Sequence, residues 1–518
     1  METKEIRNLR NHPTYMIESS WGAVLVLFMM FFNGIDSWIK EIQSVLEGGD
    51  KATIYVIGIT GGIVLFFLIA LFFSFFRWRK TTLTIADGSL TWEQATIFSK
   101  RQEFSISSIS NVNLEQNLFE RIVGTYKLKI DTSSISTAES TDMKIILGKK
   151  EAMEVRNLIL YMMNADDEDA TEKAQQEGEG KNHSLPMEDE NYDVALTSSE
   201  NFMCAVAGIR EGQLVALIMI LFGLNATLGL GLANHESIGA IFATVLIWFS
   251  FLYSVGKDLV TSFLRTYNFK VARRKDHIYI TSGAIKIRSY SVPVNQIQAI
   301  RFQSTLIGRI MKRVSVSVIN VSGEGEDVDG QWLLPAIAYK DIPTVLERIL
   351  PEMSFTEQSL LEKRPKSVQG RELFRTIFIF FVIGVGVFFG LHWIPEEAFE
   401  DIEVIDKMSL QVLAGIVWIV FTFIFLIMDI LRQKTEGILI KEDSVVLRRG
   451  SYSWMQVEVP FERIQVLDVR QSFIDRWFGQ KDGSLHLLAS KLASTQNIPK
   501  MKSTTLEKLQ QAFQNTIY

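Results

Sequence analysis

Pro460-Phe-Glu-Arg-Ile464-Gln-Val-Leu467, near the end of the chain, repeats a segment met twice before. It stands as Pro293-Val-Asn-Gln-Ile297-Gln-Ala-Ile300 in the middle and as Ser105-Ile-Ser-Ser-Ile109-Ser-Asn-Val112 nearer the start. The phase holds downstream without a gap. Leu118-Phe119-Glu120-Arg121 lies opposite Leu306-Ile307-Gly308-Arg309 and Phe473-Ile474-Asp475-Arg476, so Arg121, Arg309 and Arg476 share one position of the unit. A repeat this long is a domain written three times, not a solenoid turn.

Each copy follows a pair of apolar stretches. These run over Tyr15–Ile35, Ala52–Phe76, Leu214–Ala233, Ile238–Leu259, Leu373–Ile394 and Leu410–Ile430, each near the roughly 20 residues a helix needs to cross a bilayer. The apolar excess behind the 47% figure is concentrated in them, and they predict six spans in three hairpins. Glu18 and Asn33 interrupt the first run, but no small-residue cleavage site follows it, so it reads as an uncleaved span.

Basic residues set the expected orientation. Lys4, Arg7 and Arg10 precede the first run; Arg77, Arg79 and Lys80 follow the second; Arg265, Arg273, Arg274 and Lys275 follow the fourth; Lys363, Arg364, Lys366 and Arg371 precede the fifth; Arg432 and Lys434 follow the sixth. The hairpin tips carry only Lys40, Lys51 and Lys407. By the positive-inside rule both termini and all three repeats face the cytosol.

The net charge of −6 is concentrated in Asp166–Asp193, where many acids face only Lys173 and Lys181. Without helical or strand periodicity, such a segment cannot bury enough apolar area to offset its ordering entropy, and it is expected to be a disordered linker. The single cysteine, Cys204, excludes an intramolecular disulfide and any CxxC site.

Within each copy, short strand-like pieces alternate with turn residues such as Asp87-Gly88, Ser282-Gly283 and Arg449-Gly450. Val314, Val316 and Val318 alternate with Ser315 and Ser317, the pattern of a strand with one buried face. The copies close with Ala152–Met163, Ile342–Leu350 and Leu506–Ile517, which have apolar residues at helical spacing. Several curled strands followed by one amphipathic helix is the layout of a small barrel plugged at one end.

The pattern Pro-[Val/Phe]-x-x-Ile-x-x-[Ile/Leu], then Leu/Phe-Ile-x-Arg, then an alternating strand, resembles the bacterial pleckstrin-homology (PH) domain of YdbS/YdbT-type membrane proteins. The order of span pairs and repeats is similar to the YdbT-like type over nearly the whole chain. Copy one departs most, with Ser105 in place of proline, and Lys312 replaces the glycine found at Gly124 and Gly479. The expected fold is therefore an α+β membrane protein. Its six transmembrane helices form three hairpins, each followed by a cytosolic PH-like β-barrel or sheet capped by a C-terminal helix. The hairpins are expected at residues 1–80, 199–266 and 354–434, the PH-like domains at 81–164, 267–353 and 435–518, and the linker at 165–198. The resemblance implies a polytopic scaffold of the bacterial plasma membrane that assembles with a smaller YdbS-like membrane protein, in envelope maintenance or resistance to membrane-active peptides. The alternative is a transporter or lipid-handling protein.

Candidate site residues are few. Arg121, Arg309 and Arg476 suit a phosphate or acidic partner, or else a structural tie to nearby carbonyls; recurrence in every copy favours the fold role. Ile109, Ile297, Ile464, Pro293 and Pro460 belong to the same repeat signature. Arg273, Arg274, Lys275, Arg448 and Arg449 suit anionic headgroups or serve as topology signals and solvated loops. Gly223, Thr227 and Gly231, and also Gly386 and Gly390, have the small-xxx-small spacing that allows close helix approach. The six histidines are scattered, and no HExxH, Walker loop, GxGxxG or GxSxG occurs. No catalytic residue, cofactor, metal or nucleic-acid partner is expected; the lipid bilayer is.

Overall fold

The computed structural model describes residues 6–16, 18, 50–86, 88–95, 99–132, 143–164, 192–210, 212–213, 238–320, 331–393, 407–489 and 494–517. The chain forms two compact units. The first is Met1–Thr137, Thr141–Glu188 and Lys286–Tyr290; the second is Ala138–Ser140, Asp189–Ile285 and Ser291–Tyr518.

The first unit carries β1 (Ile6–Arg10), α1 (Asp50–Arg79), β2 (Thr81–Ala86), β3 (Ser89–Ala95), β4 (Ser99–Ser105), β5 (Ile109–Gln116), α2 (Leu118–Val123), β6 (Thr125–Thr132), β7 (Met143–Gly148) and α3 (Lys149–Asn164). Strands β1-β2-β3-β4 form one antiparallel sheet, and β7-β6-β5 run side by side in another. Alternation in β2 turns Thr81, Leu83 and Ile85 inward. Leu83, Ile85 and Leu90 meet Val112, Leu114, Leu128 and Ile130 of the other sheet in one core. Helix α3 closes that core with Ala152, Val155 and Ile159, spaced i, i+3 and i+7 so that one face is buried. The free edge of β5 is not left open: Gln116, Glu115 and Leu114 pair antiparallel with Ile287, Arg288 and Ser289 of the next copy.

The second unit carries β8 (Val194–Ala195), α4 (Ser198–Ala207), α5 (Ile238–Thr266), β9 (Lys270–Arg274), β10 (His277–Ser282), the C-terminal part of β11 (Ile287–Pro293), β12 (Ile297–Ser304), α6 (Leu306–Ile310), β13 (Arg313–Asn320), β14 (Gln331–Ala338) and α7 (Ile342–Ile349). It continues with β15 (Glu362–Lys363), α8 (Lys366–Trp393), α9 (Lys407–Thr435), β16 (Gly437–Ile440), β17 (Ser444–Gly450), β18 (Trp454–Pro460), β19 (Ile464–Arg470), α10 (Phe473–Trp477), β20 (Gln480–Leu487), β21 (Thr495–Lys502) and α11 (Ser503–Ile517). Its largest sheet has seven strands in the order β14-β13-β12-β18-β17-β16-β15. The join between copies is β12 with β18, where Ile300 faces Glu458 and Phe302 faces Gln456.

Of the barrel or sheet expected in each copy, open antiparallel sheets form, and they pair across copies. The apolar core still forms mostly within a copy: Ile438, Val445, Leu447, Val457 and Val459 pack with Leu485, Leu487, Ile498, Met501, Leu506 and Leu509. The hydrogen-bonding edge does not close there. A half-sheet of three strands exposes unpaired backbone groups at its rim; in copies one and two the first half of the next copy satisfies them, whereas β19-β20-β21 of copy three forms a three-stranded sheet by itself among the described residues.

The six-helix expectation is corrected. Among the described residues two helices are long and apolar enough to cross a membrane, Lys366–Trp393 and Ala414–Thr435. Ala52–Phe76 and Ile238–Leu259 lie on α1 and α5, which do not add to that pair. Leu214–Ala233 and almost all of Tyr15–Ile35 lie outside the described residues. An apolar run of span length is necessary for crossing a bilayer, but it does not by itself establish a span.

The 28 residues of α8 extend about 42 Å as helix, beyond the thickness of a bilayer's hydrocarbon core. Helices α8 and α9 pack antiparallel. Trp418 Nε1 donates to the Phe380 carbonyl at 2.8 Å, and Thr376 donates to Asp429 Oδ2 at 2.6 Å. Phe374, Phe378, Phe381 and Phe388 of α8 and Ile419 and Phe423 of α9 remain exposed, so the pair presents an apolar outer surface.

Candidate functional site at the root of the helical pair

Charged side chains gather where α8 and α9 meet the third copy. Arg364, just before α8, is buried between two acids, with Nη2 2.7 Å from Glu372 Oε1 and Nη1 2.9 Å from Glu436 Oε2. Arg432 lies 3.7 Å from both Asp429 and Glu436 and 4.0 Å from Glu372. Gln433 donates to the Arg364 carbonyl and Gln358 to the Lys434 carbonyl, each at 2.6 Å. Burial pushes the Glu436 carboxyl above its ordinary value, while Arg364 and Arg432 oppose that rise. Arginine suits this place because its planar fork serves two carboxylates at once.

A second cluster fastens α8 to the short helix α10. Arg371 Nη2 lies 2.6 Å from Asp475 Oδ1 and donates to Gln480 Oε1 at 3.0 Å, and Gln480 donates to Ser367 Oγ at 2.6 Å. Lys500 Nζ reaches Asp475 Oδ2 at 2.8 Å. Ser472 caps α10, its hydroxyl accepting from the Asp475 amide at 3.1 Å. Burial alone would raise the Asp475 carboxyl, but hydrogen bonds from Lys500, Ser472 and Arg371 outweigh it and hold the group at about 2.

The same short helix is fastened in the other copies by different chemistry. In copy one Asn117 and Glu120 form a capping box on α2, and Lys127 Nζ bridges Glu120 Oε1 at 3.3 Å and Glu18 Oε2 at 2.9 Å. In copy two Thr305 donates to the Ala207 carbonyl of α4 at 2.5 Å. This arrangement binds and orients elements. No cluster of three or more metal-binding side chains occurs among the described residues.

Residues 38–163, 214–353 and 380–515 match the Bacterial PH domain family, which is more than half of the chain. The chain belongs to the bacterial PH domain family. As a bacterial PH protein it is 24% identical over 354 residues to the UPF0699 transmembrane protein YdbT of Bacillus subtilis (strain 168), covering 63% of this chain and 67% of that one. No solved structure matches it.

In the bacterial PH copies the signature residues serve one local fold. Ser105, Pro293 and Pro460 are the N-caps of a 3-10 turn with φ of −65°, −66° and −62°, the value that proline's ring fixes. Ile109, Ile297 and Ile464 end that turn, open β5, β12 and β19, and are buried. Gly124 and Gly479 end their short helices at φ of 81° and 59°, and Lys312 takes up the same left-handed backbone at 54°.

The three arginines diverge. The Arg309 guanidinium donates to the Ser451 carbonyl at 3.1 Å, whereas Arg121 and Arg476 are exposed. The buried polar group of these helices is the residue before, Glu120 or Asp475. That role went unread in the sequence, although the capping spacings Asn117-x-x-Glu120 and Ser472-x-x-Asp475 carried its signal.

The basic clusters are largely engaged within the fold. Arg273 forms a two-pronged pair with Glu352 at 2.5 and 2.7 Å, and Arg274 lies 3.5 Å from Asp193. Arg448 is buried, stacks over Trp454 at 3.9 Å and donates to Gln456 at 3.3 Å; burial pushes it down to about 10. Lys275 sits at a left-handed turn with φ of 51°, and Arg449 is half-buried in β17. Most of the acidic linker lies outside the described residues, but Asp193 accepts from the Arg273 amide at 2.7 Å and β8 follows it.

Gly223, Thr227 and Gly231 lie outside the described residues. A Cβ at Gly386 or Gly390 would meet nothing within 4 Å, so the small-residue approach of α8 to α9 is elsewhere. It is at Gly384, where a Cβ would lie 2.7 Å from the Trp418 ring.

Proposed function

We propose that this chain is a membrane-anchored scaffold that fixes bacterial PH sheets against a bilayer and performs no chemistry of its own. The observation that carries this reading is the Arg371–Asp475 pair. It couples the root of an apolar helix to the sheet domain through a buried, multiply bonded carboxylate, and a joint of that kind holds an orientation. The family is one of PH domains rather than of enzymes, and the relative YdbT is a transmembrane protein. The lysine and arginine asymmetry favours placing both termini and the sheets in the cytosol at a bacterial plasma membrane. The resemblance to YdbS/YdbT-type proteins favours a smaller YdbS-like membrane partner and a role in envelope maintenance or resistance to membrane-active peptides.

The test is purification of the full chain from bacterial membranes in mild detergent, followed by identification of bound protein and lipid. A stoichiometric small membrane protein with a PH domain is the expected result. An enriched lipid or solute without such a protein would replace the scaffold by a transporter or lipid-handling protein.

A further inference from the structure

The residue after the repeated arginine is apolar in every copy, and in every copy it is exposed. Ile122, Ile310 and Trp477 expose 78%, 73% and 76% of their surface. Single exposed apolar residues are ordinary on any protein, but three at one repeat position are not a scatter. In copy three the residue belongs to a wider face with Phe473, Ile474 and Phe478, all exposed. The rings of Phe473 and Trp477 lie 5.2 Å apart, as an i, i+4 pair on one side of a helix does.

Where that face sits decides what covers it. Helix α10 is tied to Arg371, whose guanidinium also lies over the Phe478 ring at 5.6 Å from its centroid. Arg371 stands two residues before the apolar stretch of α8 begins at Leu373, and Phe374 and Phe378 of that stretch are exposed. If α8 crosses a bilayer, Arg371 lies at headgroup level with its stem along apolar surface. The aromatic face of α10 is then held at the same depth, where tryptophan and arginine are both favoured. The exposed Arg476 stands beside Trp477 with no acid adjoining it in sequence except the engaged Asp475.

We propose that α10 is a wedge in the membrane interface: Phe473, Ile474, Trp477 and Phe478 enter the boundary between headgroups and acyl chains of the bilayer that α8 crosses, and Arg476 meets the phosphates. The occupant is phospholipid, because Arg371 ties the face to the root of α8, where the apolar Phe374 and Phe378 are themselves exposed. The proposal rests on the reading of α8 as a membrane span.

The full chain with Cys204→Ser is reconstituted into nanodiscs of phosphatidylcholine and phosphatidylglycerol, with one cysteine at a time carrying a fluorophore. The positions are Trp477→Cys, Ile474→Cys and, within α8, Phe378→Cys. Lipids spin-labelled near the headgroup should cause a loss of emission at 477 and 474, and lipids labelled deep in the chain should quench 378. Emission at 477 and 474 that is quenched by soluble iodide and not by lipid, or shielded from both, overturns the wedge. Quenching at 378 in that case leaves the span standing, whereas its absence removes the span as well. Ile474→Cys keeps the test decisive if the Trp477 variant does not fold.

Discussion

Arg371 and Asp475 meet at 2.6 Å, one at the root of α8 and the other buried on the short helix α10. The contact gives this apolar helix a fixed attitude to its sheet. The carboxylate is held on three sides, by Arg371, Lys500 and Ser472. It is therefore a joint rather than a surface ion pair, which would contribute little.

The pH dependence of stability reports this joint. The Asp475 carboxyl is held down to about 2 from 3.8, so its contribution is fully present above about pH 4 and is lost as pH falls through about 2. Asp475→Asn should cost on the order of 2 kcal/mol at neutral pH and flatten the slope of melting temperature between those values. Parent and variant melting with the same acid slope in detergent would show that Asp475 carries no such contribution.

Arg364 should be among the most sensitive positions in the chain. Arg364→Ala leaves Glu372 and Glu436 buried without their main cation, a change that costs about 3–5 kcal/mol. Glu436 is already raised by burial and would rise further, so protonation should relieve the variant. Its deficit in denaturant unfolding should shrink as pH falls toward the carboxylate range, and a deficit that stays constant or grows there would contradict the assigned pairs.

How much of this was legible in the sequence differs by element. The closing helices were, because Ile342, Leu346 and Ile349 keep helical spacing and are all buried in α7. The repeat signature was also readable as a position, since one proline or serine, one isoleucine and one 3-10 turn recur together. The pairing of β12 with β18 was not, because alternation reveals which face of a strand is buried but not which edge finds a partner. Strand β15, Glu362–Lys363, is polar and exposed and leaves no periodic trace. Asp475 and Arg371 are far apart in sequence, so only the capping spacing hinted that the acid, rather than the arginine after it, would be buried.

The left-handed residue ending the short helix offers a backbone test. Lys312 stands at φ 54° where the other copies have glycine, and a residue with a side chain pays roughly 1–2 kcal/mol there. Lys312→Gly should raise the melting temperature, and Gly479→Ala should lower it. Destabilisation by Lys312→Gly would mean that the lysine side chain compensates its own strain through contacts of comparable worth.

The repeated arginines should separate into two behaviours despite sharing a position. Arg309 donates to the Ser451 carbonyl at 3.1 Å and is half-buried, so Arg309→Ala should lose about 1 kcal/mol or more of stability. Arg309→Lys should restore part of it, because an ammonium can still donate to one carbonyl. Arg476 is exposed, and Arg476→Ala should leave melting in detergent unchanged. In nanodiscs, the same change should weaken the protein's enrichment of anionic over neutral lipid, an effect that fades as salt screens the charge. Equal loss of melting temperature for both alanine variants would mean that the position has one structural role in every copy, and the divergence between Arg309 and Arg476 would have no energetic content.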